Sequence, residues 1–528
     1  MMNGRYLKSA AGILAAVFSS VFTLRASVNP IVPEGECFSD PAPRVGPDGT
    51  LWLFGSRDVT TNGYCSHSND SYETRDLREW TVHRDILVSK GPKDGVPFLD
   101  WELLAPDAIY ANGKWNLFYC MFHPEHAEGV ASSENAAGPF TGAREFPGCT
   151  QIDPSVFRDD DGTFYYTWGQ FSMNLAVLKP DLSGIVEGTV RTNVIDEARH
   201  HFHEGSQLTK RNGIYYLVFA DISRKGRPTS IGYATATNVF GPYTYRGVIV
   251  DNAGCDPESW NNHGGIVEHQ GRWYVFYHRS TNGSRSMRKA CVEPIEFDAD
   301  GLIKEVEMTS NGADPALDPF AKTPARLACV MSGNVRIETL KGGHERLTKI
   351  RHGDTATWRY FDGRCAAPKL LLHVVSHAGG AVVLTEGKGV VYGHATVPAG
   401  DGKSIVPVLM TLERPFPAGR AAVTLRFAGA ADKELFELDS FEFLYDAPPK
   451  ANYAALAENI AAYRQAVVEI SDRKLKEVDD ALAREDPVKG LGRRLSSGGD
   501  FGGFFMWDST FQSVWGSRVK ERNYPVLS

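Results

Sequence analysis

The chain has 528 residues and carries 64 acidic against 56 basic side chains, for a net charge of −8. This balance supplies no basic stripe to neutralise phosphates, which argues against a nucleic-acid partner, and 42% hydrophobic with 23% charged residues describes an ordinary water-soluble globular protein. The length calls for two or three domains, and the eight scattered cysteines contain no CxxC pair, which argues against a zinc cluster.

At the N-terminus, Arg5 and Lys8 precede an apolar run from Ala10 to Leu24, and Leu24-Arg25-Ala26 offers a small-residue cleavage site. Residues 1–26 therefore read as a signal peptide, with a secreted or periplasmic product and no membrane attachment after cleavage. The run falls short of the roughly 20 residues that a spanning helix needs. An uncleaved anchor is the alternative. Export permits disulfides among Cys37, Cys65, Cys120, Cys149, Cys255, Cys291, Cys329 and Cys365; buried free thiols are the other reading.

Between residues 29 and 311 a hairpin signal recurs five times. Turn residues at Asp48-Gly49, Asn112-Gly113, Asp161-Gly162, Asn212-Gly213 and Gln270-Gly271 each launch an alternating aromatic strand such as Thr163-Phe164-Tyr165-Tyr166-Thr167-Trp168. Asp-Gly and Asn-Gly suit tight hairpins because both central residues tolerate positive φ. The glycines are spaced 64, 49, 51 and 58 residues apart, about one four-stranded unit per repeat. The expected fold is all-β: a five-bladed β-propeller over 29–311.

Upstream of each turn glycine stands one polar residue: Asp40, Asp107, Asp153, Glu204 and His263, six to nine residues before it. The first strand of each propeller blade lines the central axis, so these five groups are expected to converge on one funnel. Taken singly, Asp40-Pro41 and Asp153-Pro154 read as turns and His263 as a structural histidine. Their recurrence at near-equal offsets makes them a site. Glycoside cleavage needs a protonated acid at the leaving oxygen and an ionised carboxylate across the sugar, and three carboxylates round a narrow axis suit that demand.

The segments Ser39-Asp40-Pro41, Ala105-Pro106-Asp107, Ile152-Asp153-Pro154-Ser155, His203-Glu204-Gly205 and Asn262-His263-Gly264-Gly265 together resemble glycoside hydrolase family 43, in the family's order. The resemblance implies a five-bladed propeller and inversion at the anomeric centre. It further implies Asp40 as general base, Asp153 as the residue that orients and tunes the acid, and Glu204 as general acid. It makes Arg288, in Arg288-Lys289-Ala290-Cys291, a substrate contact, and Asp107, Trp101 and His263 further substrate-binding candidates. In some members the axial histidine helps hold a central calcium through water, so His263 is also the candidate for a structural calcium site; no cofactor is required for the reaction. The partner is an oligosaccharide or polysaccharide of plant type, with xylose and arabinose as the leading sugars.

Past Pro324 the repeat stops, and short strands to about residue 446 suit a β-sandwich. Ile350-Arg351-His352-Gly353-Asp354 and the stretch from Phe436 to Phe443 resemble a family 6 carbohydrate-binding module, a β-jelly roll, although Thr355 stands where such modules often place an aromatic residue. From 451 to 528 the chain reads as a helical extension: Tyr453 to Ala483 is rich in Ala, Glu, Lys and Arg, and Phe504-Phe505-Met506-Trp507-Asp508 resembles the opening of an (α/α)-barrel glucosidase or trehalase-like domain, cut short. Two rival functions remain, a non-catalytic sugar-binding propeller and a retaining enzyme of the invertase type. The Asn-Asp-Pro-Asn-Gly opening of the latter is absent.

Overall fold

A computed structural model describes residues 22–25, 28–224, 226–386 and 389–445, together with Gln465 and Glu469. Of the expected signal segment only Phe22–Arg25 is described, as an edge strand paired with Glu79–Val82. The expected helical extension lies outside the described residues except for Gln465 and Glu469. Through Tyr445 the described chain is nearly all β. Its helices are the single turn Glu197–His200 and the 3₁₀ turn Ala325–Leu327.

Five antiparallel sheets follow one another from Ser39 to Ile295. Their first strands are Ser39–Val45, Leu104–Ala111, Ser155–Arg158, Phe202–Arg211 and Gly265–His269. Each first strand lies against the next, and the fifth lies against the first. The physical reason is written in the second strands, whose side chains alternate between two faces. Leu51 and Leu53 pack with Tyr274 and Phe276 of the fifth sheet, while Trp52 and Phe54 pack with Trp115, Leu117 and Tyr119 of the second. Phe118 then meets Tyr166 and Trp168 of the third sheet, Tyr165 meets Leu217 and Phe219 of the fourth, and Tyr216 and Val218 meet Val275 and Tyr277 of the fifth. Both faces of every second strand are buried, so the aromatic runs seen in sequence are apolar on both alternations.

The five hairpin turns are of two kinds. Asn112-Gly113, Asn212-Gly213 and Gln270-Gly271 have positive φ at both residues, as the tight two-residue turn requires. At Asp48-Gly49 and Asp161-Gly162 only the glycine does. There the aspartate side chain accepts from the backbone N–H two residues on, Thr50 at 3.1 Å and Thr163 at 2.8 Å, and the loop is longer. The expectation of positive φ at both positions thus fails for the Asp-Gly pairs, because the aspartate oxygen stabilises a different turn.

The segment before the first sheet returns to the fifth. Ile31 N donates to Ala290 O at 3.0 Å and Ala290 N to Phe38 O at 2.7 Å. Buried Asn29 donates to Val292 O and Glu293 Oε1, both at 2.9 Å, and accepts from Val292 N.

From Thr323 to Leu444 a six-stranded and a five-stranded sheet share one core, with Trp358, Phe361 and Leu425 facing Leu372, Phe441 and Phe443. Asp354 is buried and turned inward, its carboxylate accepting from Arg351 N and Asn334 N at 3.0 Å each. All eight cysteines are free thiols.

Two buried carboxyl groups have consequences for stability. Glu128 is pushed up to about 8 by burial, against the hydrogen bond donated by the Tyr166 hydroxyl, and its Oε1 has no partner. Burial likewise lifts Glu293 to about 7, against the pull of Arg279. Both acids bind their proton more tightly in the folded chain than in the unfolded one. Their contribution is therefore full below about pH 4.5, the ordinary glutamate range, and is lost as pH rises through 7 and 8. Urea unfolding of Glu128→Gln is expected to show a shallower decline of stability between pH 5 and 8 than the parent, by up to about 1.4 kcal/mol per pH unit. Parallel curves for the two proteins would show that Glu128 enters folding already ionised.

Candidate active site

The carboxylates reach the centre by local departures from strand geometry. Asp40 (φ 54°), Ala105 (φ 35°) and Asp153 (φ 63°) each adopt a left-handed backbone immediately before a proline, and Glu204 precedes Gly205 at φ 67°. The pairing registers break at the same places, between Ser39 and Ala42, between Leu104 and Asp107, and on both sides of Glu204. Such bulges re-aim side chains at the cost of local strain, of order 1–3 kcal/mol for each non-glycine residue. Gly205 has a second reason to lack a side chain, since a Cβ there would lie 2.7 Å from the His263 ring.

Asp40, Asp153, Glu204, His263, Arg288 and Trp101 all border one cavity of about 560 Å³. Asp40 is buried and held by three groups: Arg288 Nη1 donates to Oδ1 at 2.6 Å, Ser56 Oγ to Oδ2 at 2.8 Å, and His263 Nδ1 stands 3.7 Å from Oδ1. Burial opposes its charge, yet Arg288 and the two nearby histidines hold it down at about 2. Asp153 moves the other way. Burial first, then the charges of Glu204 and Asp40, push it well above the usual carboxylate range. Glu204 Oε2 accepts from Gln170 Nε2 at 2.7 Å and lies 4.0 Å from His203 Nε2. The centre therefore pairs one securely ionised carboxylate with a neighbour that resists ionisation, and environments that diverge in this way separate a base from a proton store.

His263 stands between Asp40 and Asp153, 3.7 and 4.0 Å from their oxygens, and burial lowers its pKa. Among the described residues no group of three or more His, Cys, Asp and Glu side chains is disposed to hold a metal directly.

Asp107 is not on the cavity wall: its carboxylate accepts from Arg44 Nε at 2.8 Å, Ser155 Oγ at 2.8 Å and Val156 N at 2.9 Å, tying the first three sheets together. Arg288 borders the cavity, and most of its donors are engaged within the protein. Nε and Nη2 grip Asp58 at 2.9 Å each, Nη1 grips Asp40, and the backbone N–H also reaches Asp58. It positions and charges Asp40 first of all. Trp101 sits at the rim, edge-on to His123, with 37% of its surface exposed and free to meet a sugar face.

The sequence reading missed Ser56, Asp58, Gln170 and His278. His278, fully buried, is lowered to about 3 by burial and by Arg288, and its Nδ1 accepts from Asp40 N at 3.4 Å. Asp58 follows the second strand of the first sheet and has no counterpart at matching offset in other repeats, so periodicity could not reveal it. A second cavity of about 360 Å³ adjoins the first, shares Phe122, Ile152 and Gln170 with it, and adds the exposed ring of Phe171.

An ionised carboxylate, a proton-retaining neighbour and a third carboxyl on one sugar-sized cavity form the equipment of a glycoside-cleaving enzyme. Comparison with known proteins agrees. The model of the glycosyl hydrolases family 43 matches residues 57–303. A xylosidase/arabinosidase of Thermoclostridium stercorarium is 31% identical over 57% of this chain and 71% of its own, and a beta-xylosidase of Xylanibacter ruminicola is 28% identical over 51% and 96%. A solved GH43 beta-xylosidase/alpha-arabinofuranosidase from a compost microbial metagenome is 27% identical, covering 54% of this chain and 99% of that one at a TM-score of 0.48. The chain belongs to glycosyl hydrolase family 43. It is a glycosidase of the inverting kind.

The charge on Asp40 is expected to depend on Arg288. Arg288→Lys keeps a cation but cannot span both Asp58 and Asp40. The acid limb of its kcat/KM profile should move upward by about one pH unit, equivalent to about 1.4 kcal/mol of lost charge stabilisation. An unmoved limb in a folded variant would remove Arg288 from this role.

Proposed function

We propose that the enzyme is exported and hydrolyses xylosyl or arabinofuranosyl linkages of plant-type oligosaccharides in one displacement. Asp40 is the base that activates water, Glu204 the acid that protonates the leaving oxygen, and Asp153 the neighbour that keeps a proton available to Glu204. The observation that carries this reading is the divided electrostatics of one cavity, with Asp40 clamped as an anion by Arg288 and Asp153 driven toward its neutral form. The names of the relatives, xylosidase/arabinosidase and beta-xylosidase, support the sugar class.

In this reading the five sheets are the blades of a propeller over 29–311, and the two later sheets are a β-sandwich over 324–446. The inward turn of Asp354 and the absence of an aromatic at Thr355 favour a sandwich that supports the propeller over one that grips sugar. The adjoining cavity, with Phe122 and Phe171 at its edge, receives the rest of the oligosaccharide. Stacking on exposed rings suits an uncharged chain of sugars.

Glu204→Gln and Asp40→Asn are expected to fail differently. The acid's proton matters most when the leaving group is poor, so Glu204→Gln should retain far more activity on a nitrophenyl glycoside than on xylo- or arabino-oligosaccharides. Asp40→Asn should lose about 10²–10⁴-fold on both, because water must be activated whatever departs. Proton NMR of the first-formed sugar should show the inverted anomer. Equal losses across leaving groups would overturn the acid and base assignments, and wild-type rates in both would favour a sugar-binding propeller. Phe171→Ala should raise KM for oligosaccharides several-fold and leave the nitrophenyl monoglycoside unaffected; an equal effect on both would detach the second cavity from substrate binding.

A further inference from the structure

Where the fifth sheet meets the later sheets there is a small cavity of about 10 Å³, room for one small guest. Arg279 and Ser280 reach it from the fifth sheet, Arg326 from the 3₁₀ turn, and Lys289 and Glu345 close it. Its unpartnered polar atoms are concentrated in a way seen nowhere else among the described residues. Arg279 Nε and Nη1, Arg326 Nε and Nη1, and Ser280 Oγ are all buried without a hydrogen-bond partner. Arg279 is 3% exposed, so water outside cannot serve it.

Four of those five atoms are N–H donors on guanidinium groups, and the fifth is a hydroxyl that can donate. The carboxylates nearby are already engaged. Glu345 takes Lys289 Nζ at 2.7 Å, and Glu293 takes Asn29, Tyr277 and Thr309 at 2.7–3.0 Å while lying 3.7 Å from Arg279 Nη2. Glu34 lies 3.4 Å from Arg326 Nε without hydrogen-bond geometry and is itself partly exposed. Lys289 spends its remaining donors on Glu36 O and Pro33 O. A neutral water would accept two of the stranded donors and then need acceptors for its own hydrogens. A monatomic anion needs no acceptors of its own and can take one N–H from each guanidinium together with the Ser280 hydroxyl.

We propose that this cavity binds a single halide ion, chloride in practice, as a structural link between the propeller and the sheets that follow it. The site is about the fold, stands apart from the catalytic cavity and does not rest on the proposed sugar specificity. A ligand that binds only the folded chain multiplies the folding equilibrium constant by 1 + [L]/Kd. Unfolding of the full chain, measured in sodium chloride against sodium gluconate at equal ionic strength, should therefore show a folding constant that rises about tenfold for each tenfold rise in chloride above its Kd. Crystals grown in sodium bromide should show an anomalous peak between Arg279 and Arg326. Arg326→Met, which removes two of the donors, should abolish the halide dependence, and Ser280→Ala should weaken it if the first variant does not fold. Equal stability in chloride and gluconate, with no bromide peak, would overturn the proposal and make the occupant a water. So would a halide effect that survives unchanged in Arg326→Met.

Discussion

An ionised carboxylate withdrawn from water must be matched by a cation and by hydrogen bonds, or it takes up a proton instead. At the centre of this enzyme the match is a single arginine shared by two acids, with Arg288 gripping Asp58 on one side and Asp40 on the other. Asp58 fixes the guanidinium plane, and the plane delivers Nη1 to Asp40. Burial first, and then the charges of Glu204 and Asp40, press Asp153 toward its neutral form. The contrast between Asp40 and Asp153 thus rests on that fork of hydrogen bonds and on burial, which also lowers the pKa of His263 and His278.

The backbone bears part of that arrangement. Asp40 and Asp153 sit at positive φ directly before proline, and Ala105 does the same on the strand that carries Asp107. Conformations of this sort persist when the surroundings leave no alternative. Here the surroundings are five apolar contacts between neighbouring sheets, arranged in a cycle, with buried tryptophan, tyrosine and phenylalanine on both faces of each second strand. Asn29 and the segment after it join the beginning of the described chain to the fifth sheet, so the cycle has a clasp as well as a core.

The later sheets are coupled to this cycle by more than tethering. Thr339 N donates to Asn282 Oδ1 at 2.7 Å, Asn282 N donates to Ile337 O at 2.9 Å, Tyr360 N donates to Asn311 Oδ1 at 2.9 Å, and Lys289 pairs with Glu345. Among the described residues, those bordering the catalytic cavity run no further along the chain than Arg288.

What could be read from the sequence is whatever repeats. Turn glycines, aromatic alternation and a polar residue at a steady offset are local and periodic, and they were enough to reach Asp40, Asp153, Glu204 and His263 and to expect that they converge. Trp101 was reached through its neighbourhood to the second motif. Asp107 obeyed the same period but lies off the cavity wall, its carboxylate accepting from Arg44 and Ser155 of adjacent sheets. Asp58, Ser56, Gln170 and His278 carry no period, since each meets its partner through a pairing between distant parts of the chain. Arg288 was visible as a residue, but its work was not: which carboxylates a guanidinium serves depends on what the fold places within about 3 Å of it. Sequence alone determined the repeating β architecture, the chemistry and the family. Tertiary structure decided which acid is charged and which keeps a proton, because that choice is made by burial and by neighbours that only folding brings together.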